Sequence, residues 1–211
     1  MDPILYHTVV LANPSHTHNF MYTLATRGSA FLSRVVKVLI CARRAAAEYY
    51  AIPLLSACRN IVSLALYWDD VDQDLEINRL INSAPCLRRF YPFRNITPLP
   101  LPLTNPTLTH LIYNLFLFGE GTFHRFSVLA APSLQLTHIL FNLEFVWGVS
   151  HDIPFGDLRV VQTSLHTLKV IVLNFISKPT VMNTSERKRV VDQVAPIMIW
   201  KITFRRGQSR F

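Results

Sequence analysis

Glycine and cysteine are both scarce in this sequence. The chain has six glycines and three cysteines among 211 residues. Only Gly119 and Gly121 lie close together, and so sparse a set does not support a glycine-rich loop that cradles a phosphate. Cys41, Cys58 and Cys86 have no CxxC spacing, and because their number is odd one thiol stays unpaired in any disulfide scheme. We therefore predict reduced, mostly buried thiols, which are typical of an intracellular protein.

Charged residues, and acidic ones in particular, are also few. They make up 16% of the chain, against roughly 25% in typical globular proteins, and 21 basic residues outnumber 13 acidic ones. The net charge of +8 and the isoelectric point near 9.8 would suit an acidic protein, nucleic acid or an anionic surface as partner. Scattered charge that only solvates the surface is the simpler interpretation. Basic residues cluster at Arg43–Arg44, Arg88–Arg89, Arg187–Arg189 and at Arg205, Arg206 and Arg210.

Long apolar runs and catalytic motifs are missing as well. The chain has no uninterrupted run of about 18 apolar residues, so we expect no membrane span. Its start, MDPILYHTVVL, has an acid at Asp2 and no basic n-region, which argues against a signal peptide and favours a cytoplasmic or nuclear protein. GxSxG, HExxH and a cysteine with a positioned histidine do not occur. The sequence thus predicts neither enzymatic activity nor a cofactor.

A repeated segment is the strongest positive feature of the sequence. LTHLIYN at Leu108–Asn114 recurs as LTHILFN at Leu136–Asn142, and each copy alternates apolar residues as a strand with one buried face does. Looser copies extend the series, and successive starts are separated by 29, 26, 26, 21, 28, 29 and 32 residues. Such self-similarity, with most periods near the 20–29 residues roughly typical of leucine-rich repeats, indicates a solenoid. The starts are Tyr6, Val35, Ile61, Leu87, Leu108, Leu136, Leu165 and Ile197.

We therefore predict an α/β fold, an irregular leucine-rich-repeat-like solenoid with parallel strands on one face and helices or turns on the other. It spans residues 1–204 as one domain, and a basic C-terminal tail follows over 205–211. The first helix is expected over His16–Ser33, interrupted by Gly28 and capped by Ser15. Leucine-rich repeats usually form a ladder of buried asparagines at the ninth position of their units, and that ladder is absent here. Other predicted elements are helices over 43–57, 75–83 and 186–194 and an extended proline-rich connection over 97–106.

The repeat pattern also predicts a binding surface. In an LxxLxL strand the first, fourth and sixth residues face the core, so the third, fifth and seventh face the opposite, concave side. Strands paired in register would place His110 beside His138 at about 4.8 Å, and Asn114 beside Asn142. Lys37 and Lys201 fall on the same side. The predicted partner-binding residues are Tyr67, Arg89, Tyr91, Phe93, His110, Asn114, His138, Asn142 and Lys169.

Two groups of side chains raise the question of a metal site. The histidine pair could ligate zinc or move a proton, but Arg89 and Thr167 occupy the neighbouring positions, so a third ligand is lacking. Exposed repeat-surface histidines are the favoured interpretation. Carboxylates crowded at Asp69, Asp70, Asp72 and Asp74 resemble a calcium loop without its glycine and closing glutamate, and they equally suit a helix N-terminus. We predict no metal site.

Five segments carry a family resemblance over about residues 1–175. They read MDPILYHTVVL, FLSRVVKVLIC, IPLLSACRNIVSLAL, LINSAPCLRRF and TLTHLIY. Together they resemble mushroom-type fungal F-box proteins of the leucine-rich-repeat-like kind. The resemblance implies a substrate-recruiting arm of a cullin-type ubiquitin ligase, with the repeats as the substrate binder. No F-box precedes the Tyr6 strand, so binding of the ligase adaptor is not expected, and no functional residue is carried over from the family.

The expected function is accordingly a non-enzymatic protein–protein interaction module with an unidentified client protein. Binding of nucleic acid or an anionic surface through the basic residues is the alternative. No RNA- or DNA-binding motif supports that alternative, which rests on net charge alone.

Overall fold

The fold is α/β, with eight parallel strands in one sheet and four helices among the described residues. The computed structural model describes residues 6–41, 50–67, 74–93, 103–116, 135–144, 165–177 and 199–206. Each strand pairs with the strands next to it in the sequence. The strands are β1 (Thr8–Leu11), β2 (Val38–Cys41), β3 (Ser63–Tyr67), β4 (Arg89–Phe93), β5 (His110–Phe116), β6 (His138–Glu144), β7 (Val170–Ser177) and β8 (Ile199–Arg206). The helices are α1 (Pro14–Arg27), α2 (Ser29–Val35), α3 (Ala51–Ala57) and α4 (Asp74–Ser83).

One backbone contact recurs between neighbouring strands from β1 to β7. A single carbonyl just before one strand accepts two N–H groups from the start of the next strand. The carbonyl of Thr109, for example, accepts from the amides of Thr137 at 2.9 Å and His138 at 3.0 Å. Two donors from successive residues hold the incoming strand against sliding, so these strands enter the sheet at the same level. The carbonyls that do this belong to His7, Lys37, Val62, Arg88, Thr109 and Thr137.

The register corrects the predicted start of the seventh unit. Val170 pairs with His138, so the first position of this unit is Leu168 and not Leu165. Leu165 lies three residues earlier, in a turn where its carbonyl accepts from the amide of Leu168 at 2.9 Å. Both starting points satisfy the pattern with aliphatic residues, because Leu165, Leu168 and Val170 have the same spacing as Leu168, Ile171 and Leu173.

The second unit shows the same ambiguity by one residue. Val35 was predicted to start the strand, but it is the last residue of α2, and β2 begins at Val38. The frame that the structure adopts turns Leu39 and Cys41 toward the core, where both are fully buried. Burial of these two side chains thus decides between two frames that the pattern alone leaves equal.

The core lies between the helices and one face of the sheet. Alternate residues of the strands from β1 to β7 point to this face, as the two-residue period of a strand requires. Together with buried helix residues such as Phe20, Leu32, Leu54 and Ile77, they form one hydrophobic core. The strand residues in this core include Leu39, Cys41, Leu64, Leu66, Phe90, Leu111, Tyr113, Ile139, Phe141, Ile171 and Leu173.

The first two helices are separated where the sequence predicts an interruption. Gly28 has φ of 78°, a conformation that favours glycine, and its amide donates to the carbonyl of Leu24. The predicted N-cap, Ser15, is wrong. Asn13 caps α1 instead, because its extended backbone lets its side chain accept from the amide of His16 at 2.9 Å, with Pro14 as the first helical residue.

The remaining predicted elements agree with the structure in part. Helix α4 begins at Asp74, one residue before the predicted start, and α3 occupies the end of the predicted 43–57 helix. Strand β8 continues to Arg206, so the predicted boundary at residue 204 falls inside a strand. The helix predicted over 186–194, most of the 97–106 connection and Asp69, Asp70 and Asp72 lie outside the described residues.

A buried asparagine joins the end of α4 to the chain that leads into β5. Asn105 is fully buried, and its side-chain amide donates to the carbonyls of Ile81 at 2.7 Å and Ala84 at 2.9 Å. The side-chain oxygen Oδ1 of Asn105 accepts hydrogen bonds from both the backbone amide and the hydroxyl of Thr107. These contacts satisfy carbonyls that a helix leaves free at its C-terminal end.

Replacement of Asn105 by alanine should therefore destabilise the protein. The variant removes the two short hydrogen bonds from Asn105 and leaves the carbonyls of Ile81 and Ala84 with only the longer backbone contacts, so we expect the free energy of unfolding to fall by about 2 kcal/mol. Urea denaturation followed by circular dichroism measures this change. Asn19→Ala, at an exposed position of α1, is the control and should cause no comparable loss. Equal effects of the two substitutions would contradict the role given to Asn105.

The three cysteines are free thiols, as predicted, and two of them are buried. Burial, with a smaller contribution from the nearby Cys58, raises the pKa of Cys41 to about 12. Burial likewise raises the pKa of Cys58 to about 12. Cys86 is only partly buried. Because the thiolate is the reactive form, the two buried thiols should be inert in the folded protein.

A thiol reagent at about pH 8 should accordingly modify one cysteine quickly and two only on unfolding. Cys86→Ser should remove the fast phase and leave the slow one unchanged. The measurement is the time course of modification with and without urea. Three thiols that react at one common rate in the folded protein would contradict the burial described here.

Candidate functional site

The face of the sheet opposite the helices carries most of the residues predicted for binding. We call it the open face and define it by the strand residues that alternate with the buried ones. The pairing of the strands places its side chains in rows across the sheet. Its first row contains Ser63, Arg89, His110, His138 and Val170. Two residues further along, Ala65 pairs with Tyr91, and Ile112, Leu140 and Val172 pair in turn, while the pairing of β4 with β5 ends at Phe90 and Leu111. We call these five residues, Ala65, Tyr91, Ile112, Leu140 and Val172, the second row.

Arg89, His110 and His138 are adjacent in the first row, and we call these three residues the basic row. Arg89 pairs with His110, and His110 pairs with His138. The two imidazole rings are stacked, with centroids 4.3 Å apart and planes inclined by only 2°. The predicted juxtaposition of the two histidines is confirmed, and the separation is close to the spacing of neighbouring strands.

A threonine before each histidine fixes the orientation of its ring. The hydroxyl of Thr109 lies 2.8 Å from Nδ1 of His110 and 3.1 Å from the carbonyl oxygen of Arg88. Thr137 makes the same pair of contacts, with Nδ1 of His138 at 2.8 Å and with the carbonyl oxygen of Thr109 at 3.1 Å. The pair is therefore held by two identical local arrangements.

These contacts limit each histidine to two arrangements of hydrogen. Each threonine hydroxyl has one hydrogen and lies near both a carbonyl oxygen and Nδ1 of the following ring. When the hydroxyl donates to the carbonyl, the ring donates from Nδ1 and Nε2 of the neutral imidazole is an acceptor. When the hydroxyl donates to Nδ1, Nε2 carries the hydrogen of the neutral ring.

The charges around His110 disfavour its protonation. Partial burial lowers the pKa of His110 below its ordinary value of 6.5, and the neighbouring His138 and Arg89 lower it further because each adds positive charge. On the other side of the pair, β7 contributes the apolar Val170. From the first row, which contains Arg89 and His138, to the row that contains Asn142, the open face has no acidic residue. Glu144 lies six residues beyond His138 along β6, roughly 20 Å away.

The geometry of the pair does not suit a shared metal ion. Each nitrogen lone pair lies in the plane of its ring, and two nearly parallel planes direct their lone pairs side by side rather than toward one point. A cation would also meet the positive charge of Arg89. Among the residues that the structure describes, no three histidine, cysteine or acidic side chains form a group that could hold a metal.

Side-chain amides form a second contact across the open face. Nδ2 of Asn174 donates to Oδ1 of Asn142 at 2.7 Å, and Nδ2 of Asn142 lies 3.4 Å from the hydroxyl oxygen of Tyr91. Both asparagines are buried, although they lie on the open face. Asn114 pairs with Asn142 in the register, so the seventh position is asparagine in three successive strands. An asparagine ladder is thus present, two positions earlier than the one typical of leucine-rich repeats.

Asn174 was missed in the sequence because of the wrong frame at Leu165. Counting from Leu165 places Ile171 at the seventh position, whereas counting from Leu168 places Asn174 there. The recurring asparagine was itself the signal that distinguishes the two frames.

The other predicted residues fall into two groups. Tyr67 is partly buried and pairs with Phe93, and Lys201 pairs with Val172, as the predicted rows require. Lys169 was placed on the same side as His138, but it precedes β7 and its amide donates to the carbonyl of Thr137. Lys37 likewise precedes β2, so neither lysine belongs to the rows of the open face.

Comparisons with known proteins identify no relative. No protein-family model, curated protein or solved structure matches the chain. In the parts of the chain that the structure describes, none of the helices has the length and apolar character needed to cross a membrane.

The site predicts how stability depends on pH. The unfolded chain protonates His110 near its ordinary pKa, and the folded chain does so only at lower pH. The stability that this group contributes is therefore present above about pH 6.5 and is lost as the pH falls below it. His110→Gln should reduce the loss of stability between about pH 7.5 and pH 5, measured from urea midpoints at both values.

His18→Gln, on the exposed surface of α1, is the matched control and should lose stability on acidification as the unmodified protein does. An equally steep loss in the His110 variant would contradict the electrostatic account of the basic row.

Proposed function

We propose that this chain is an irregular leucine-rich-repeat-like solenoid and a non-enzymatic protein-binding module that captures a client protein on its open face. The observation that carries the proposal is a sheet with one face buried under helices and the other lined with arginine, histidine and aromatic side chains. Arginine and tyrosine are enriched among the residues that dominate binding energy in protein interfaces. Tyr91 and the basic row are the residues we assign to client binding.

Two features support the solenoid. The recurring carbonyl contact gives each of the strands from β2 to β7 one equivalent entry point, which is expected of repeat units stacked only on their neighbours. The order of the strands in the sheet is the same as their order in the sequence, so each strand lies beside the strands that precede and follow it in the chain. The resemblance to fungal F-box proteins suggests the context, in which such repeats recruit a substrate to a ubiquitin ligase. Binding of the ligase adaptor is not part of the proposal.

Nucleic-acid binding is the second candidate, favoured only by the net charge of +8. It requires several phosphate contacts and predicts an affinity that falls steeply with salt. From β1 to β7 the open-face positions hold one permanently positive residue, Arg89, and Lys201 and Arg205 follow on β8, where they pair with Val172 and Ile176. So few fixed positive charges favour a protein partner over nucleic acid.

A double substitution on the open face tests the proposal. Tyr91→Ala combined with His110→Ala should abolish capture of specific proteins from nuclease-treated lysate of the source organism, because it removes an aromatic anchor and one member of the basic row. Mass spectrometry of the co-purified proteins measures capture, and thermal melting shows that the variant remains folded.

The control changes the same two residue types on α1, where Tyr22 and His18 are exposed. Tyr22→Ala combined with His18→Ala should leave capture unchanged. Unchanged capture by the open-face variant would exclude this face as the binding surface. Proteins captured from untreated lysate but lost after nuclease treatment would favour nucleic acid as the partner.

A further inference from the structure

The basic row has a charge pattern that calls for an anionic partner. Three side chains that carry or can accept positive charge lie on adjacent strands, with only Val170 beyond them on β7. Strand spacing makes the row about 10 Å long, which is the size of one or two carboxylates rather than an extended polyanion. No described side chain near the row neutralises it.

We propose that the basic row binds a side-chain carboxylate of an acidic, extended peptide segment of the client, and that this binding brings a proton onto the histidine pair. The inference rests on the proposed function and names the chemistry of the partner. Arg89 supplies a permanent positive charge with N–H donors suited to a carboxylate.

The chemistry of the rings and the charges around them explain why a proton accompanies the carboxylate. In the tautomer that donates from Nδ1 to threonine, Nε2 of the neutral ring is an acceptor, and an acceptor repels a carboxylate oxygen. Protonation at Nε2 converts one ring into a donor beside Arg89. In the free protein, the neighbouring positive charges oppose this protonation, whereas a bound carboxylate supplies the opposite charge and favours it.

A peptide fits the surroundings of the row better than nucleic acid does. The second row continues the surface with Ile112, Leu140 and Val172, which are partly exposed. At the β1 edge Val10 is 49% exposed. Apolar side chains of an extended peptide can cover these residues, while a phosphate backbone would find one permanent positive charge, Arg89, at the open-face positions of β1 to β7.

The coupling between proton and ligand sets the size of the expected effect. If one proton is taken up on binding, the affinity rises about tenfold for each unit by which the pH falls, between the pKa of the bound and of the free histidine. A peptide without the carboxylate does not favour the protonated histidine, so its affinity should not rise as the pH falls.

The experiment selects peptides and then measures their pH dependence. A display library of short random peptides is selected on the full chain at about pH 6, and enriched peptides are made without a dye and with blocked termini, so that only side chains carry negative charge. Isothermal titration calorimetry gives Kd at about pH 6 and about pH 8. We expect a shared aspartate or glutamate, an affinity at least about tenfold higher at the lower pH, and loss of this gain when that residue becomes asparagine or glutamine.

Variants of the chain assign the effect to the row. Arg89→Gln should weaken binding at both pH values, and His110→Gln combined with His138→Gln should remove the pH dependence. Lys169→Gln, a basic residue outside the rows, is the control and should change neither. Persistent pH dependence in the double-histidine variant would overturn the proposal, as would tighter, Arg89-dependent binding of a single-stranded oligonucleotide.

Failure of this inference is distinguishable from failure of the proposed function. Enriched peptides without a shared acid, whose binding is lost in the Tyr91 and His110 double variant, would keep the open face as the binding surface and exclude the carboxylate. If no peptide is enriched and the lysate experiment captures no protein, both proposals fail.

Discussion

The structure depends on the double hydrogen bond by which one carbonyl receives two amides of the next strand. The contact recurs at six carbonyls, although the residues that supply them range from valine to arginine. A backbone contact of this kind does not depend on side-chain identity, which explains how units separated by unequal lengths of chain enter one sheet at one level. Register in turn decides which side chains become neighbours, because a slip of one residue would move every side chain to the other face.

The basic row is a direct consequence of that register. Positive side chains on adjacent strands oppose one another, and like charges placed directly opposite destabilise a sheet. The chain nevertheless places Arg89 beside two stacked histidines. The open face has no acidic residue between this row and the row of Asn142 that could offset the positive charge. Neutral histidine makes this arrangement tolerable above about pH 6.5, and the threonine contacts hold the rings in place. The free histidine pair resists protonation and a bound anion would favour it. The protonation state of the pair should therefore change when an anion binds.

Much of this was accessible from the sequence, and the errors have one physical origin. Near-identity of the segments at Leu108 and Leu136 was sufficient to predict the histidine pair and the parallel neighbours. The frames at Val35 and Leu165 were wrong because long apolar runs satisfy LxxLxL at more than one starting point, and a pattern of apolar residues contains no information about which of them is more completely buried. The threonine contacts of the histidine rings were not predictable either, since they depend on how closely each hydroxyl approaches a carbonyl next to the neighbouring strand.

The seventh unit shows how the row is bounded and why its position matters. It keeps the asparagine at the seventh position, where Asn174 continues the amide contact from Asn142, but places Val170 where the preceding units have histidine. The amide ladder therefore extends one strand beyond the histidine pair. Because amide contacts are independent of pH and the basic row is not, the open face combines a constant part on β6 and β7 with a titratable part on β4, β5 and β6. Asn142 and Asn174 are buried and bonded to each other, so they keep β6 and β7 in register whatever the protonation state of the basic row.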